Sequence, residues 1–363
     1  MNPDPISEAA RVSANSDATT PILAEGGADL ERYLGELGEK PYRVGQIRRW
    51  LFRTQATGFD EMTNLSTELR ARLAERFVPF SCELEQRPES PDHTTKLIVR
   101  LRDGEQIEAV LIREDARSTA CISTQVGCPV GCPFCASGLD GTRRNLEAHE
   151  IVEQVLLLDR CLPESERLSH LVFMGIGEPL LNFRSLVSAL ETLHEEAGFG
   201  LAARRITLST VGPKGKIERL QRIPIPINLA ISLHAPNDEL RDRLVPGNSG
   251  VRGLIAAAES YREQTGRQVT FEYVLLRDVN ASLEHARELA GLLRSTSCSV
   301  NLIPFNPVPG TGFETPSTQE VHDFRRELER AQVPVTVRKR KGRAIEAACG
   351  QLRLNRIRQD QAS

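Results

Sequence analysis

The chain lacks any long apolar run, and this absence already excludes a class of proteins. No stretch of its 363 residues approaches the roughly 18 apolar residues that a membrane helix needs. The N-terminus lacks both the basic start and the apolar core of a secretory signal. We therefore expect a cytoplasmic protein without membrane contact, in which thiols stay reduced and clustered cysteines bind metal or do redox work. The net charge of -3 argues against indiscriminate nucleic-acid binding but permits local basic patches.

Cysteine is scarce, with eight residues in the chain, yet Cys128, Cys132 and Cys135 crowd into the short stretch GCPVGCPFC. A zinc site usually takes four protein ligands, commonly as two separated pairs, and the sequence has no second pair. Three thiolates instead suit a 4Fe-4S cluster with one iron left open for a substrate. Zinc-binding or incidental cysteines are the alternative. The isolated Cys82, Cys161 and Cys298 are expected to be inert packing residues.

Composition divides the chain into successive parts. The N-terminal part is polar and contains Pro and Ser, the next is helical, and the third carries two β-rich runs around Asp103-Gly104, a hairpin signal. We predict a disordered leader (1–28), a helical accessory domain (29–90), a β-hairpin linker (91–117), an α/β domain (118–352) and a tail (353–363).

Six apolar runs in the α/β part predict strands that alternate with helical patterns. The runs are STACIST, HLVFMG, RITLST, INLAISLH, VTFEYVLL and SVNLIPF, and VPVTVRKR is a candidate edge strand. This alternation indicates βα units with a mainly parallel sheet. Six units fit either a doubly wound sheet or an incomplete barrel, and both place the site at the C-terminal strand ends.

The spacing C-x3-C-x2-C, with Phe134 before the last cysteine, resembles the signature of the radical S-adenosylmethionine (radical-SAM) superfamily. The resemblance implies an incomplete (βα)6 barrel, here with a small N-terminal helical domain and a β-hairpin extension. It also implies a 4Fe-4S cluster held by Cys128, Cys132 and Cys135, with SAM bound at the open iron.

Motifs at the later strand ends resemble SAM-binding segments. FMGIGEPLLN is not a dinucleotide fingerprint, and a plain Gly-rich turn is its alternative; an isolated histidine such as the one in ISLHAPND is more often a packing residue. The SAM contacts implied by the resemblance are Gly177, Glu178, Ser209, Ser232, Leu233, His234 and Asn306.

Together with AACGQL near the C-terminus, these motifs closely resemble the bacterial dual-specificity RNA methyltransferases that methylate carbon 2 of adenine in 23S rRNA and tRNA. The match runs from Leu30 to Leu352. It implies that Cys349 carries the methyl group as S-methylcysteine and that two SAM molecules are used per turnover. It further implies that Cys121 resolves the RNA adduct through a transient disulfide with Cys349. Glu108 matches the proton acceptor, and an exposed hairpin glutamate is the alternative.

The same resemblance implies 23S rRNA and tRNA as partners, a flavodoxin-like electron donor, and a monomer. Charge runs are usually solvated faces, but two basic stretches are candidates for RNA contact. They are Arg338, Lys339, Arg340, Lys341 and Arg343 near the carrier cysteine, and Arg43, Arg48, Arg49 and Arg53 in the helical domain.

The sequence departs from the family pattern at Ala344, where an aspartate is typical, in the shortened VPGNSGVRGL, and in HTTKLIVRL, which lacks an aromatic residue. These departures bear on the choice of RNA. Two rival functions are a carbon-8 adenine methyltransferase, which shares the cysteines, and a non-catalytic metal-binding RNA-binding protein, in which Cys121 and Cys349 would be dispensable.

Overall fold

The computed structural model describes residues 19–247 and 249–353. The expected leader up to residue 18 and the tail after residue 353 lie outside the described residues. The strands of the described part are β1 (Thr20–Pro21), β2 (Phe77–Val78), β3 (Glu83–Gln86), β4 (Glu89–Ser90), β5 (Thr94–Arg100), β6 (Gln106–Glu114), β7 (Arg117–Cys121), β8 (Gln125–Gly127), β9 (Thr142–Asn145), β10 (His170–Phe173), β11 (Ile206–Thr210), β12 (Asn228–Ser232), β13 (Val269–Leu275), β14 (Ser299–Pro304) and β15 (Val335–Val337).

One large sheet organises the molecule, in the order β15-β14-β13-β12-β11-β10-β7-β6-β5-β3, with β4 beside β5. From β7 to β15 the neighbouring strands are parallel and follow one another in chain order. A doubly wound sheet would reverse this order at a switch point, so the unbroken order selects the incomplete barrel. The expected barrel is confirmed, and VPVTVRKR supplies its edge strand β15.

The expected hairpin is β5 and β6, but it continues the barrel sheet instead of standing apart as a linker. Strand β6 pairs antiparallel with β7, which places Val110 opposite Cys121. Residues 83–90, expected in the helical domain, form β3 and β4 on the outer side of this hairpin. The segment ELEQ contains no β-branched or aromatic residue, so pairing with β5 overrides its weak strand propensity.

The helices of the described part are α1 (Ala28–Glu36), α2 (Tyr42–Arg49), α3 (Thr67–Arg76), α4 (Ala136–Leu139), α5 (Ala148–Asp159), α6 (Phe183–His194), α7 (Ile217–Leu220), α8 (Asp238–Leu244), α9 (Val251–Thr265), α10 (Leu283–Leu293) and α11 (Thr318–Arg330). A π-helical turn, Trp50–Thr54, extends α2. Ser66 caps α3 by accepting a hydrogen bond from the backbone N–H of Leu69 at 3.2 Å. The long patterns predicted between strands appear as α5, α6 and α10.

The disordered leader expected over residues 1–28 is wrong from residue 19 onward. Strand β1 pairs in parallel with β2, and Ile22 and Leu23 are buried in the main core. Burial of these two apolar side chains offsets the entropy of ordering a polar segment. No helix in the described ranges is long and apolar enough to cross a membrane.

Candidate active site

The three clustered cysteines lie in a loop shaped by glycines. Gly127 has a φ of 80°, and a Cβ atom there would collide with the carbonyl oxygen of Gly141. That carbonyl accepts a hydrogen bond from the backbone N–H of Cys128 at 2.8 Å, and the N–H of Cys135 donates to the carbonyl of Cys132 at 3.1 Å. The loop directs all three cysteines into one cavity of about 170 Å³, here named the cluster cavity.

The cysteines of the cluster cavity are protonated thiols unless a cation binds to them. Burial raises the pKa of the Cys128 thiol to about 12, and the neighbouring Cys135 adds to the rise. Burial and the two other thiols raise the pKa of Cys132 well above its usual value. The nearby Arg241 opposes this rise but does not cancel it, whereas a bound metal supplies enough positive charge for its thiol ligands to lose their protons outright.

The donor set fits an iron-sulfur cluster. Among the described residues, no group of three or more His, Cys, Asp or Glu side chains is arranged to hold a metal ion, so the thiols are not drawn around one centre. A 4Fe-4S cluster does not require that arrangement, because each cysteine binds a different iron. Cys128, Cys132 and Cys135, which line the cluster cavity, would hold such a cluster, and the iron without a cysteine ligand would be available to SAM.

Glu178 fastens the end of β10 to the end of β11. Its carboxylate is buried and accepts hydrogen bonds from the hydroxyl of Thr210 at 2.6 Å and from the backbone N–H groups of Val211 at 2.8 Å and Leu180 at 3.0 Å. Burial nevertheless raises the pKa of Glu178. Gly177, before it, has a φ of 108° and passes against Gln125, where a Cβ atom would find no room. Both expected SAM contacts line the cluster cavity.

The serines and the histidine expected to bind SAM line the same cavity. The hydroxyls of Ser209 and Ser232 are 3.5 Å apart. His234 is buried with a φ of 61°, and its Nδ1 accepts a hydrogen bond from the backbone N–H of Val274 at 3.1 Å. Burial lowers the pKa of His234 to about 3, so the ring is neutral and carries its proton on Nε2. Leu233 is not brought to the cavity lining: its side chain is fully buried, and its backbone N–H and C=O contact Glu272 and Arg241.

Asn306 carries an unmet hydrogen-bonding capacity. Its side chain is 4% exposed, and its Nδ2 donates to the carbonyl of Cys349 at 3.3 Å. Its Oδ1 is buried and has no hydrogen-bond partner. A buried acceptor of this kind is costly unless a ligand donates to it. Asn306 is not part of the cluster-cavity lining and lines the second cavity described next, so the structure does not bring it together with the other expected SAM contacts. Its acceptor fits a ligand with polar hydrogens that reaches this second cavity.

Cys349 lies at the junction of two cavities. It lines the cluster cavity and also a second cavity of about 650 Å³, here named the barrel lumen, whose wall consists of inward-facing residues of the barrel strands. Two hydrogen bonds hold its segment against α4. The backbone N–H of Ala136 donates to the carbonyl of Gly350 at 2.8 Å, and the hydroxyl of Ser137 donates to the carbonyl of Leu352 at 2.7 Å.

Cys121, at the end of β7, is the thiol next to Cys349. Burial raises the pKa of Cys121 to about 12, and the neighbouring Cys349 adds to that rise. Both cysteines are free thiols. The structure thus brings together two residues that lie far apart in the sequence.

Arg338, expected among the RNA-contacting cations, is instead an interior residue. Its guanidinium is 3.7 Å from the sulfur of Met174, and the neighbouring Cys349 and Glu272 raise its pKa. Arg338 directly follows Val337, the last residue of β15. Because alternate residues of a strand face opposite sides, the side chain of Arg338 lies opposite that of Val337 and points into the barrel. Lys339, Arg340 and Arg343 remain exposed.

Glu108 is buried, so the expected alternative of an exposed hairpin glutamate is wrong. It pairs with Lys96 across β5 and β6 at 2.9 Å, and both side chains are under 10% exposed. Its other carboxylate oxygen accepts a hydrogen bond from the backbone N–H of Arg353 at 3.1 Å. Glu108 therefore contacts the segment that carries Cys349, although it lies outside the lining described for the two cavities.

Sequence reasoning missed two buried polar residues. Arg241 is fully buried and donates to the carbonyls of Leu233, Ser249, Val211 and Ser232, at 2.9 to 3.0 Å. The pattern NDELR gives no sign that its arginine turns inward.

Glu272 is the second missed residue. It is 6% exposed on β13, lines both cavities, and accepts a hydrogen bond from Asn301 at 2.8 Å. Its signal was the one charged residue within the apolar run VTFEYVLL.

Comparisons with known proteins agree with this geometry. A family model described as the radical SAM superfamily matches residues 122–290. A crystal structure of a radical SAM methyltransferase from Sphaerobacter thermophilus is 46% identical and superposes with a TM-score of 0.87, covering 90% of this chain and 97% of that one. The fold and the three-cysteine cavity thus define a radical-SAM enzyme, and its cofactors are a 4Fe-4S cluster and SAM.

A second model, described as the ribosomal RNA large subunit methyltransferase N-terminal domain, matches residues 25–78. The probable dual-specificity RNA methyltransferase RlmN of Rhodopirellula baltica is 52% identical over 329 residues, 90% of this chain and 89% of that protein. The probable RlmN of Bacillus subtilis is 44% identical over 336 residues, 92% of each chain. The chain belongs to the RlmN family of radical-SAM RNA methyltransferases.

Proposed function

We propose that this protein methylates carbon 2 of an adenine in 23S rRNA and in tRNA, with Cys349 as the methyl carrier. The observation that carries the proposal is the position of Cys349, which lines both the cluster cavity and the barrel lumen. A carrier must meet a methyl donor on one side and an acceptor base on the other. The C–H group at carbon 2 has no useful acidity or nucleophilicity, so direct polar transfer from SAM is not available to it.

In this proposal the residues of the cluster cavity hold the cofactors. Cys128, Cys132 and Cys135 bind the 4Fe-4S cluster, which when bound supplies the electron that cleaves SAM to a hydrogen-abstracting radical. The residues that contact SAM are Gly177, Glu178, Ser209, Ser232, Leu233, His234 and Asn306. The Nε2–H of His234 supports a direct polar contact in the cluster cavity, whereas Leu233 would act through packing. Asn306 lines the barrel lumen, so its unpartnered Oδ1 would meet SAM only where the molecule reaches the junction of the two cavities.

The carrier chemistry uses three further side chains. The Cys349 thiolate takes the methyl group of one SAM, forming an S–CH3 bond as the bond to the sulfonium breaks, and a second SAM serves the radical step. Once the carbon is joined to the base, the radical adduct gives up one electron, which the bound cluster would take back, and Glu108 accepts the proton leaving carbon 2. The Cys121 thiolate then attacks the Cys349 sulfur, and the carbon-sulfur bond breaks with its electron pair remaining on the carbon. That carbon takes up the proton held by Glu108 and becomes the methyl group, and the Cys121–Cys349 disulfide is reduced by an external reductant. The proximity of Cys121 to Cys349 supports this last step.

The exposed cations beyond β15 support an RNA partner. Lys339 and Arg340 follow Arg338 directly, Arg343 comes three residues later, and all three precede the proposed carrier Cys349. Phosphate contacts of this kind position a nucleic acid without reading its bases. A flavodoxin-like protein is proposed as the electron donor, and a monomer as the working form.

The experiment that tests the function is nucleoside mass spectrometry. The protein is reconstituted anaerobically with iron and sulfide, then incubated with SAM, a reductant, and either a 23S rRNA fragment or tRNA. We expect 2-methyladenosine, and the RNA that yields it identifies the substrate. A product of 8-methyladenosine would agree with the carrier chemistry but refute the carbon-2 assignment. Deoxyadenosine release without a methylated nucleoside would show that neither RNA is the substrate.

Two cysteine variants test the carrier mechanism in the same assay. We expect Cys121→Ala to accumulate a covalent protein-RNA adduct because the resolving thiol is missing. Cys161→Ala, which removes a cysteine outside both cavity linings, is the matched control and should form product without adduct. Normal product from Cys121→Ala, with no adduct, would contradict the role given to Cys121.

A further inference from the structure

The residues that line both the cluster cavity and the barrel lumen form the wall between the two cavities. They are Met174, Glu272, Ile303, Arg338 and Cys349. A molecule in the barrel lumen therefore meets the same short set of side chains that a molecule in the cluster cavity meets from the other side. Whatever reacts with Cys349 from the lumen must lie against this wall.

The barrel lumen has the size and polarity of a ligand site. Its volume of about 650 Å³ falls within the roughly 300–1,000 Å³ usual for small-molecule pockets. Hydroxyl and amide side chains such as Thr270, Ser299, Asn301 and Thr336 line it. Lys339, which is exposed, and Lys341, which pairs with Glu114, also line it, so a phosphate can bind at the exposed lysine while a base reaches in.

The carboxylates of the two cavities differ in what they can still bind. Glu178, in the cluster cavity, already accepts three hydrogen bonds from the protein. Glu114, in the lumen, is about half exposed and lies 3.6 Å from Lys341. Glu272 is the one carboxylate among the lining residues that belongs to both cavities, and the side-chain hydrogen bond shown for it comes from Asn301. A carboxylate offers about four acceptor positions, so Glu272 retains capacity for a donor in the lumen.

We propose that Glu272 recognises the target base from the barrel lumen by accepting a hydrogen bond from the exocyclic amino group of adenine. In adenine, carbon 2 and the carbon that bears the amino group both adjoin N1. A group that holds the amino nitrogen therefore also sets the direction in which carbon 2 points. Because Glu272 and Cys349 share one wall, the contact presents carbon 2 to the carrier sulfur and disfavours bases that lack an amino donor. The inference rests on the proposed function.

The test is a double-mutant cycle between the protein and the RNA. Reconstituted wild type, Glu272→Met and Glu272→Gln are compared on the active RNA and on the same RNA with purine riboside, which lacks the amino group, at the methylated position. We expect Glu272→Met to slow methylation of the adenine RNA by about 10- to 100-fold, the range for hydrogen bonds to a charged group. It should change the rate on the purine RNA by less than about twofold. Glu272→Gln keeps an acceptor oxygen and should recover most of the adenine rate.

Two further readouts separate base recognition from other roles. S-Methylation of Cys349, followed by peptide mass spectrometry, and deoxyadenosine release should be unaffected in all variants, since neither needs the base contact. Glu263→Gln removes an exposed carboxylate outside both cavity linings and should discriminate between the two RNAs as wild type does. If Glu272→Met does not fold beside Arg338, Glu272→Asp withdraws the acceptor while keeping the charge, and it should show the same selectivity loss.

Equal slowing on both RNAs would overturn the proposal, and so would a parallel loss of Cys349 methylation, which would place Glu272 on SAM instead. These outcomes differ from failure of the proposed function itself. In that case wild type would form no 2-methyladenosine in any RNA.

Discussion

At the scale of single residues, two buried side chains organise the strand ends around the cluster cavity. Arg241 ties the ends of β11 and β12 together through four carbonyl oxygens. His234 accepts a backbone hydrogen bond from β13, and its ring meets Phe134 edge-on at a centroid distance of 5.2 Å. Arg241 acts as a charged group and His234 as a neutral one. Because burial keeps His234 neutral, the stability of the protein depends on pH.

The histidine gives a prediction with a definite sign. Its folded-state pKa of about 3 lies below the usual value of 6.5, so the unfolded chain takes up a proton that the native state refuses. Stability is therefore complete above about pH 6.5 and is lost as pH falls toward 3. His234→Asn keeps an acceptor for Val274 and tolerates the positive φ. Between about pH 7.5 and 5.5 we expect wild type to lose about 1.4 kcal/mol more than the variant in urea unfolding of the cluster-free protein. Parallel stability curves would contradict the assignment.

The sequence predicted some of these residues and could not predict others, for a physical reason. The three clustered cysteines could be singled out from the sequence because their spacing is local, whereas Cys121 and Cys349 could be proposed as a pair only through family resemblance. Whether Glu272 and Arg338 belong to the site depends on which face of their strands points into the barrel and on how far the polar lumen extends. Alternation of polar and apolar residues describes an exposed face equally well, so Arg338 was assigned to the surface.

At the scale of elements, the segment after Cys349 is fastened to the cluster loop and the hairpin at once. The guanidinium of Arg353 pairs with Asp140 at 2.9 Å, at the end of the helix that follows the cluster cysteines. Its backbone N–H contacts Glu108. The carrier segment is therefore held by the same elements that hold the cluster and the proposed proton acceptor.

Loosening this attachment should expose the carrier cysteine. Asp140→Asn removes a partly exposed ion pair. Such pairs usually contribute about 0.2–1 kcal/mol to the free energy of unfolding. We expect iodoacetamide to modify Cys349 about two- to fivefold faster in this variant, measured by peptide mass spectrometry of the reconstituted protein. Asp115→Asn, at an exposed aspartate away from the segment, is the control and should leave the rate unchanged. Equal rates in both variants would show that the other contacts of the segment suffice.

Element prediction succeeded where apolar runs are long and failed where tertiary pairing decides. The barrel strands carry apolar residues at about every second position or more often, because one face of the sheet packs against the crossover helices, and those helices have a strong period. The segments Thr20–Pro21 and Glu83–Gln86 have neither signal. They become strands only because β2 and β5 offer unpaired backbone groups beside them.

At the scale of the whole molecule, the helical part is built into the barrel instead of being tethered to it. Arg48 pairs with Glu195 at 2.8 Å, and Arg53 donates to the carbonyl of Glu196 at 3.2 Å. Two of the arginines expected to contact RNA from this part of the chain thus contact the barrel. The carboxylate of Asp159, at the end of α5, lies at the centre of the same junction.

Asp159 should couple the two parts during unfolding. Its side chain is fully buried and accepts from Gln55 at 2.6 Å and from the backbone N–H of Leu168 at 2.8 Å, and it pairs with Arg167 at 2.7 Å. Asp159→Ala leaves these donors unmatched, so we expect a loss of about 3–5 kcal/mol in the free energy of unfolding. The exposed change Asp115→Ala should stay within about 0.5 kcal/mol.

The single tryptophan, Trp50, lies in the helical part, so its fluorescence reports on that part while far-UV circular dichroism reports mainly on the barrel. In wild type we expect the two signals to unfold in one coincident transition, because the hydrogen bond from Gln55 to the buried Asp159 and the Arg48–Glu195 ion pair cross the junction. In Asp159→Ala the common midpoint should fall, or the fluorescence transition should move ahead of the other. Two well-separated transitions in wild type would instead mean that the helical part is an independent domain, and that Arg48 and Arg53 are available to RNA after all.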